Sequence, residues 1–119
     1  MILSEAVYAE LAAHFINAAD LERFVDDTRL QLSPSTVEVL SIAGDAWRRY
    51  FRQRGALASC PACGAQQELR CISCHEILRL RQHIITDFLI GSHALVLADR
   101  LLTRDKGYYA TYFPSLKLA

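Results

Sequence analysis

Thr86-Asp-Phe-Leu-Ile-Gly-Ser-His-Ala-Leu-Val-Leu-Ala-Asp-Arg-Leu-Leu-Thr-Arg-Asp105 is the stretch on which the fold turns. From Asp87 to Ala98 apolar side chains are dense enough for a mostly buried helix. Arg100-Leu-Leu-Thr103 then reads as a short buried strand that ends at Arg104-Asp105. A buried helix that feeds at once into a buried strand is a unit of an α/β sheet with helices on its faces.

The same alternation continues outward in both directions. Downstream, Lys106 to Tyr112 predicts a short helix and Leu116-Lys-Leu118 a last strand after Pro114. At the other end, Val7, Tyr8, Leu11 and Phe15 lie at the three-and-four spacing of one helical face, and Ser4 stands where a helix cap belongs. A second helix is expected from about Ala19 to Asp27, with Asp20 as its cap. Thr28-Arg-Leu-Gln-Leu-Ser33 alternates as a half-buried strand does, and Pro34 ends it. Ser35-Thr-Val-Glu38 has the S-x-x-E form of a capping box and opens a long helix through Trp47, Tyr50 and Phe51, closed by Gly55.

At 119 residues, 52% hydrophobic and 22% charged, the chain has the length of one domain, residues 1–119, and too much apolar content for disorder. No apolar run approaches the roughly 20 residues that span a bilayer. The first residues carry two glutamates and no basic segment, unlike a secretory signal, so a cytoplasmic protein is expected. Net charge is zero but uneven: Arg48, Arg49, Arg52, Arg54, Arg70, Arg79 and Arg81 face only Glu68 and Glu76 between Arg48 and His83. Such a segment reads either as a basic docking surface for phosphates or as a solvated helix end.

Helical periodicity fails from about residue 56 to 77, where all four cysteines occur as Cys60-x2-Cys63-x7-Cys71-x2-Cys74. Cys71-Ile-Ser-Cys74-His75 taken alone has the form of a covalent haem site, but that chemistry accompanies export, and Met1 is the only methionine available as an axial thioether. In a reducing compartment two paired turns, the first shaped by Pro61 and Gly64, are better suited to a closed tetrahedral Zn2+ site, with an iron–sulfur centre or a redox dithiol as the alternatives. The expectation is a structural zinc-knuckle hairpin at 56–77, with His75 as a substitute ligand or a surface residue. A closed site holds no water for catalysis, so chemistry is sought elsewhere.

Asp87 opens a helix, Asp105 follows a strand, and Glu10 lies on the first helix. Three converging carboxylates would offer hard oxygen ligands to Mg2+ or Mn2+; as residues at helix ends, acids also serve as caps. Thr103 is placed to orient a ligand or water, and His93 to stand behind Asp87. Ile2-Leu-Ser-Glu-Ala-Val-Tyr-Ala-Glu-Leu11, the Thr86–Asp105 stretch and Tyr108-Tyr-Ala-Thr-Tyr-Phe-Pro-Ser-Leu-Lys-Leu118 resemble a PIN domain of the bacterial VapC toxin type. The resemblance covers most of residues 1–55 and 78–119. It implies a Rossmann-like three-layer sandwich with a parallel sheet, and an Mg2+- or Mn2+-dependent ribonuclease whose metal ligands are Glu10, Asp87 and Asp105.

Two departures accompany it. The cysteine module stands where the family has a short connection, and the chain begins at what is a later element of the family, without the first strand and its D-T-N-like aspartate. The resemblance therefore implies an N-terminally truncated fold and two functions. The first is an RNA endonuclease of a toxin–antitoxin pair, with RNA and an antitoxin protein as partners and a homo-oligomeric state. The second is a non-catalytic remnant that binds nucleic acid or antitoxin.

Overall fold

The computed structural model describes residues 1–119 except Arg54, Ala56, Pro61, Gly64, Leu80, Arg81 and Gln82. In chain order it comprises β1 (Ile2–Leu3), α1 (Glu5–Ala12), α2 (Ala18–Asp27), β2 (Gln31–Leu32), α3 (Val37–Gln53), β3 (Leu57–Ser59), β4 (Gln66–Glu68), α4 (Ile85–Leu97) and α5 (Lys106–Tyr112). The architecture is mixed α/β with small sheets. No helix among the described residues is long and apolar enough to cross a membrane.

α4 is central because it is apolar nearly all round, with Phe88, Gly91, Ser92, His93 and Ala94 buried. Phe88 has none of its surface exposed. Trp47 and Tyr50 of α3 and Tyr108 and Tyr112 of α5 surround its ring at centroid distances of 5.3, 5.5, 5.4 and 5.4 Å. Such tilted and edge-on pairs add about 0.5–1.5 kcal/mol each beyond simple burial. The buried hydroxyl of Ser92 is satisfied within the helix, donating to the Phe88 carbonyl at 2.8 Å.

The strands are shorter than their sequence suggests. β1 and β2 pair in parallel, Ile2 with Gln31 and Leu3 with Leu32. Both β2 residues are exposed, so the expected half-buried strand is an exposed one. The strands expected at 100–103 and 116–118 reduce to one parallel bridge between Leu101 and Leu118.

Ser4 caps α1 as expected, its hydroxyl accepting from the Val7 amide. The next two caps fall on neighbours of the expected residues. Asn17, not Asp20, caps α2 by accepting from the Asp20 amide at 3.0 Å. Thr36, not Ser35, accepts from the Val39 amide at the start of α3. Ser35 is instead taken by Glu5, whose carboxylate accepts from both its amide and its hydroxyl at 2.7 Å. The amide, then the hydroxyl, of Ser35 hold the Glu5 carboxyl below its ordinary pKa.

β3 and β4 form an antiparallel hairpin, and a bridge between Arg70 and Ile77 forms a second turn beyond it. The radius of gyration is 17.0 Å against about 13–14 Å for a compact domain of this length, and the molecule extends 50 × 35 × 27 Å.

Gly91 has no side chain because the ring of Phe113 occupies that space: a Cβ there would lie 2.6 and 2.8 Å from Cδ2 and Cζ of a ring that is itself buried. Gly91→Ala gains about 1 kcal/mol of helix propensity but incurs about 1–3 kcal/mol of overpacking against a ring with nowhere to move. The expected net loss is up to about 2 kcal/mol by urea unfolding, and it disappears in a mutant cycle with Phe113→Leu.

Candidate functional site

The three acids singled out from the sequence sit on three different elements, and among the described residues each keeps a carboxylate oxygen without a hydrogen-bond partner. Asp87, in the first turn of α4, accepts from the Ile84 amide through Oδ2 at 2.9 Å. The same oxygen lies 3.6 Å from Nδ1 of His83. Asp105 caps α5, its Oδ1 accepting from the Tyr108 amide at 3.2 Å. The Thr103 hydroxyl accepts from the Asp105 amide at 3.1 Å. Glu10 projects from α1 beside a cleft that is also lined by Ala13, Ile84, Thr86 and Leu89, so it faces the start of α4.

Tyr109 joins the three. Burial first, and then the negative charges of Asp87, Asp105 and Glu10 in that order, raise the pKa of its phenol above the ordinary range. Tyr108 is raised in the same direction by burial first and Asp87 second, with Asp105 a smaller contributor. All three acids thus act on Tyr109, and Asp87 and Asp105 also on Tyr108. They do not share an ion-sized pocket: among the described residues no three His, Cys, Asp or Glu side chains stand together as a group able to hold a metal ion. Mg2+ demands closely convergent oxygens at about 2.0–2.1 Å, so the donors fit by chemistry and not yet by position.

His93 does not stand behind Asp87. It is buried, and its Nε2 lies 2.8 Å from the Ser33 carbonyl, which ties α4 to the segment after β2. The histidine near Asp87 is His83, whose ring stacks on Tyr108 at 4.0 Å and whose amide donates to the Tyr50 hydroxyl. Sequence reading missed both His83 and Tyr109. An i, i+4 relation between His83 and Asp87 was the available signal for the first.

The cysteines are free of disulfides and form two local pairs. The Cys60 sulfur is approached by the Cys63 and Ala62 amides and by the Cys63 thiol, and the Cys71 sulfur by the Cys74 and Ser73 amides and the Cys74 thiol. In both, the backbone amides are the main cause lowering the thiol pKa. Amides aimed at sulfur favour the thiolate, the form that binds metal. The first turn closes through the Cys60 amide on the Ala65 carbonyl at 2.8 Å, the second through the Cys71 amide on Glu76 at 2.9 Å. His75 holds φ at 62°, a left-handed conformation at the end of that second turn. The roles expected of Pro61 and Gly64 lie outside the described residues. Each pair has the donors of half a tetrahedral zinc site, and the two halves do not form one group.

Of the arginines in the basic segment, Arg48 pairs with Asp45, Arg49 donates to the Tyr112 carbonyl, and Arg70 meets Glu68 and the His75 carbonyl. Arg52 and Arg79 are exposed and have no partner among the described residues. Arg54 and Arg81 lie outside them. Comparison of the chain with family models, with curated proteins and with solved structures gives no match.

Among the described residues the Tyr108 hydroxyl is buried without a hydrogen-bond partner. Removing such a group forfeits nothing it contributes and relieves a desolvation cost of about 1–3 kcal/mol. Its pKa is higher folded than unfolded, so it leaves stability unchanged with pH below about pH 10 and causes stability to be lost as pH rises from there through the folded value. Tyr108→Phe is expected to hold or raise the urea midpoint at neutral pH and to reduce alkaline destabilisation. A lower midpoint at neutral pH would mean that the hydroxyl has a partner.

Proposed function

We propose that the chain is a PIN-like, divalent-metal-dependent RNA endonuclease of the toxin type, carrying a structural zinc hairpin. The observation that supports this reading is that, after burial, the charges of Asp87, Asp105 and Glu10, distant in sequence, all act to raise the pKa of the Tyr109 phenol. Carboxylates near a buried aromatic wall attract a hard dication, and among the described residues Oδ1 of Asp87 and Oδ2 of Asp105 are left by the capping bonds. Such an ion, when bound, neutralises a phosphodiester and lowers the pKa of a coordinated water. The chain's own residues would do the rest. Asp87 and Asp105 are held by their caps, Thr103 fixes the start of the Asp105 turn, and Tyr109 keeps water from one side. Arg52 and Arg79 are available to phosphate oxygens.

The proposed setting is the three-layer parallel-sheet sandwich of PIN domains, in a cytoplasmic toxin held by an antitoxin and acting as a homo-oligomer. The parallel pairing of β1 with β2 and of Leu101 with Leu118 supports that topology. A second reading, a non-catalytic RNA- or antitoxin-binding relative, is favoured by the lack of a gathered metal-binding group among the described residues.

Asparagine at positions 87 and 105 can still accept the capping amides while losing the charge, so the substitutions test chemistry and not folding. With Mn2+ or Mg2+ the intact chain is expected to cleave RNA, and Asp87→Asn and Asp105→Asn to do so at least about tenfold more slowly at unchanged melting temperature. RNA binding by the intact chain without cleavage would establish the second reading.

For the hairpin, elemental analysis of the purified protein is expected to find one zinc per chain in a colourless sample. Cys60→Ser and Cys71→Ser should each abolish it, because both halves are needed to close the tetrahedron. A haem absorption spectrum would replace zinc altogether.

A further inference from the structure

The two cysteine pairs stand at opposite ends of one strand. β3 and β4 pair with Leu57 opposite Glu68 and Ser59 opposite Gln66, and the first turn closes this ladder through the Cys60 amide on the Ala65 carbonyl. The chain then runs back through β4 to Arg70, which bridges Ile77, while the Leu78 amide donates to the Leu69 carbonyl at 2.7 Å. The second turn, closed by the Cys71 amide on the Glu76 carbonyl, lies past that bridge. Residues 66–70 therefore separate the turns, and at roughly 3.4 Å per residue of antiparallel strand they hold them about 17 Å apart. Two sulfurs on one Zn2+ are at most about 4.6 Å apart, since each Zn–S bond is about 2.3 Å. While the ladder is intact, Cys60 and Cys63 cannot close on the same ion as Cys71 and Cys74 of their own chain, and among the described residues no such group of ligands forms.

Both pairs open on the same side. In an antiparallel ladder directly opposed residues share a face, as do alternate residues along a strand. Cys60 is opposed to Ala65, which shares its face with Gln67, Leu69 and Cys71, and Leu78 is opposed to Leu69. Between the turns this face carries no charge among the described residues, and its Leu78 is 44% exposed. Glu68 and Arg70 lie on the other face, joined by an ion pair. Cys63 and Cys74 are exposed, so each pair is open to an ion from outside.

We propose that two copies of the chain lie with these faces together and their β4 strands antiparallel, so that Cys60 and Cys63 of each copy share a Zn2+ with Cys71 and Cys74 of the other. The proposal rests on the zinc reading of the cysteines given above and is independent of the nuclease chemistry. A closed structural zinc site takes four ligands, and each turn supplies two. A two-fold axis through the middle of the strand reverses it, which brings the first turn of one copy to the second turn of the other at both ends at once. Every thiolate is then used, with one ion for each chain. Pairing like turns with like would satisfy only one end in any pair of copies and leave an open chain of molecules.

The test measures zinc content by elemental analysis and mass by analytical ultracentrifugation, on the intact chain in reducing buffer with added Zn2+. The intact chain is expected to be a dimer with one zinc per chain, and EDTA to return it to monomers. Two double variants separate this from a site closed within one chain: Cys60→Ser with Cys63→Ser, and Cys71→Ser with Cys74→Ser. Each alone should bind no zinc. An equimolar mixture should recover one zinc for every two chains, because each variant supplies the pair that the other lacks. Helical circular dichroism equal to that of the intact chain checks that the variants keep their folded body. One zinc per chain in a monomer, a dimer that EDTA leaves whole, no zinc in the mixture, or zinc held by either variant alone would each overturn the shared sites. Absence of zinc from the intact chain would instead remove the zinc reading itself, and this proposal with it.

Discussion

The burial of the Phe88 ring is the constraint on which the remaining structure depends. Four aromatic side chains from α3 and α5 meet it, so one residue registers three helices against one another. The functional groups inherit their positions from that packing. Asp87 precedes Phe88 in the chain, and its place in the first turn of α4 is set once the ring is seated. Asp105 caps α5, which docks through Tyr108 and Tyr112 on the same ring. A disturbance of Phe88 therefore reaches two of the three acids without touching either.

The helices were legible because their information is local. α5 occupies Lys106–Tyr112 as its sequence indicated, and α4 begins two residues earlier than expected, at Ile85. The caps were less legible because a polar side chain near a helix start can be claimed by a distant residue. Ser35 has the composition of a cap, yet Glu5, thirty residues away, takes both its donors and leaves the capping to Thr36. The strands were least legible. Alternation marks residues able to pair, while the length of a strand is decided by its neighbour; β2 has only Ile2 and Leu3 to pair with, and Leu101 only Leu118.

The candidate site divides along the same line. Glu10, Asp87 and Asp105 were singled out by resemblance to a family, and spacing along the chain says nothing of their distance in space. Their common action on Tyr109 becomes apparent only in the folded chain. The cysteine pairs were legible as pairs, since each is a local turn with its own amides directed at sulfur. Whether the two turns meet is a tertiary question, which a two-residue spacing cannot answer.

The hairpin that carries those pairs contributes none of the side chains of the central aromatic cluster among the described residues. It is joined to the rest through the end of α3 and the start of α4, two helices that already pack on each other. Its ends are therefore held together by the helices and not by the hairpin itself. A change in the hairpin's length therefore leaves the two helices where their own packing puts them.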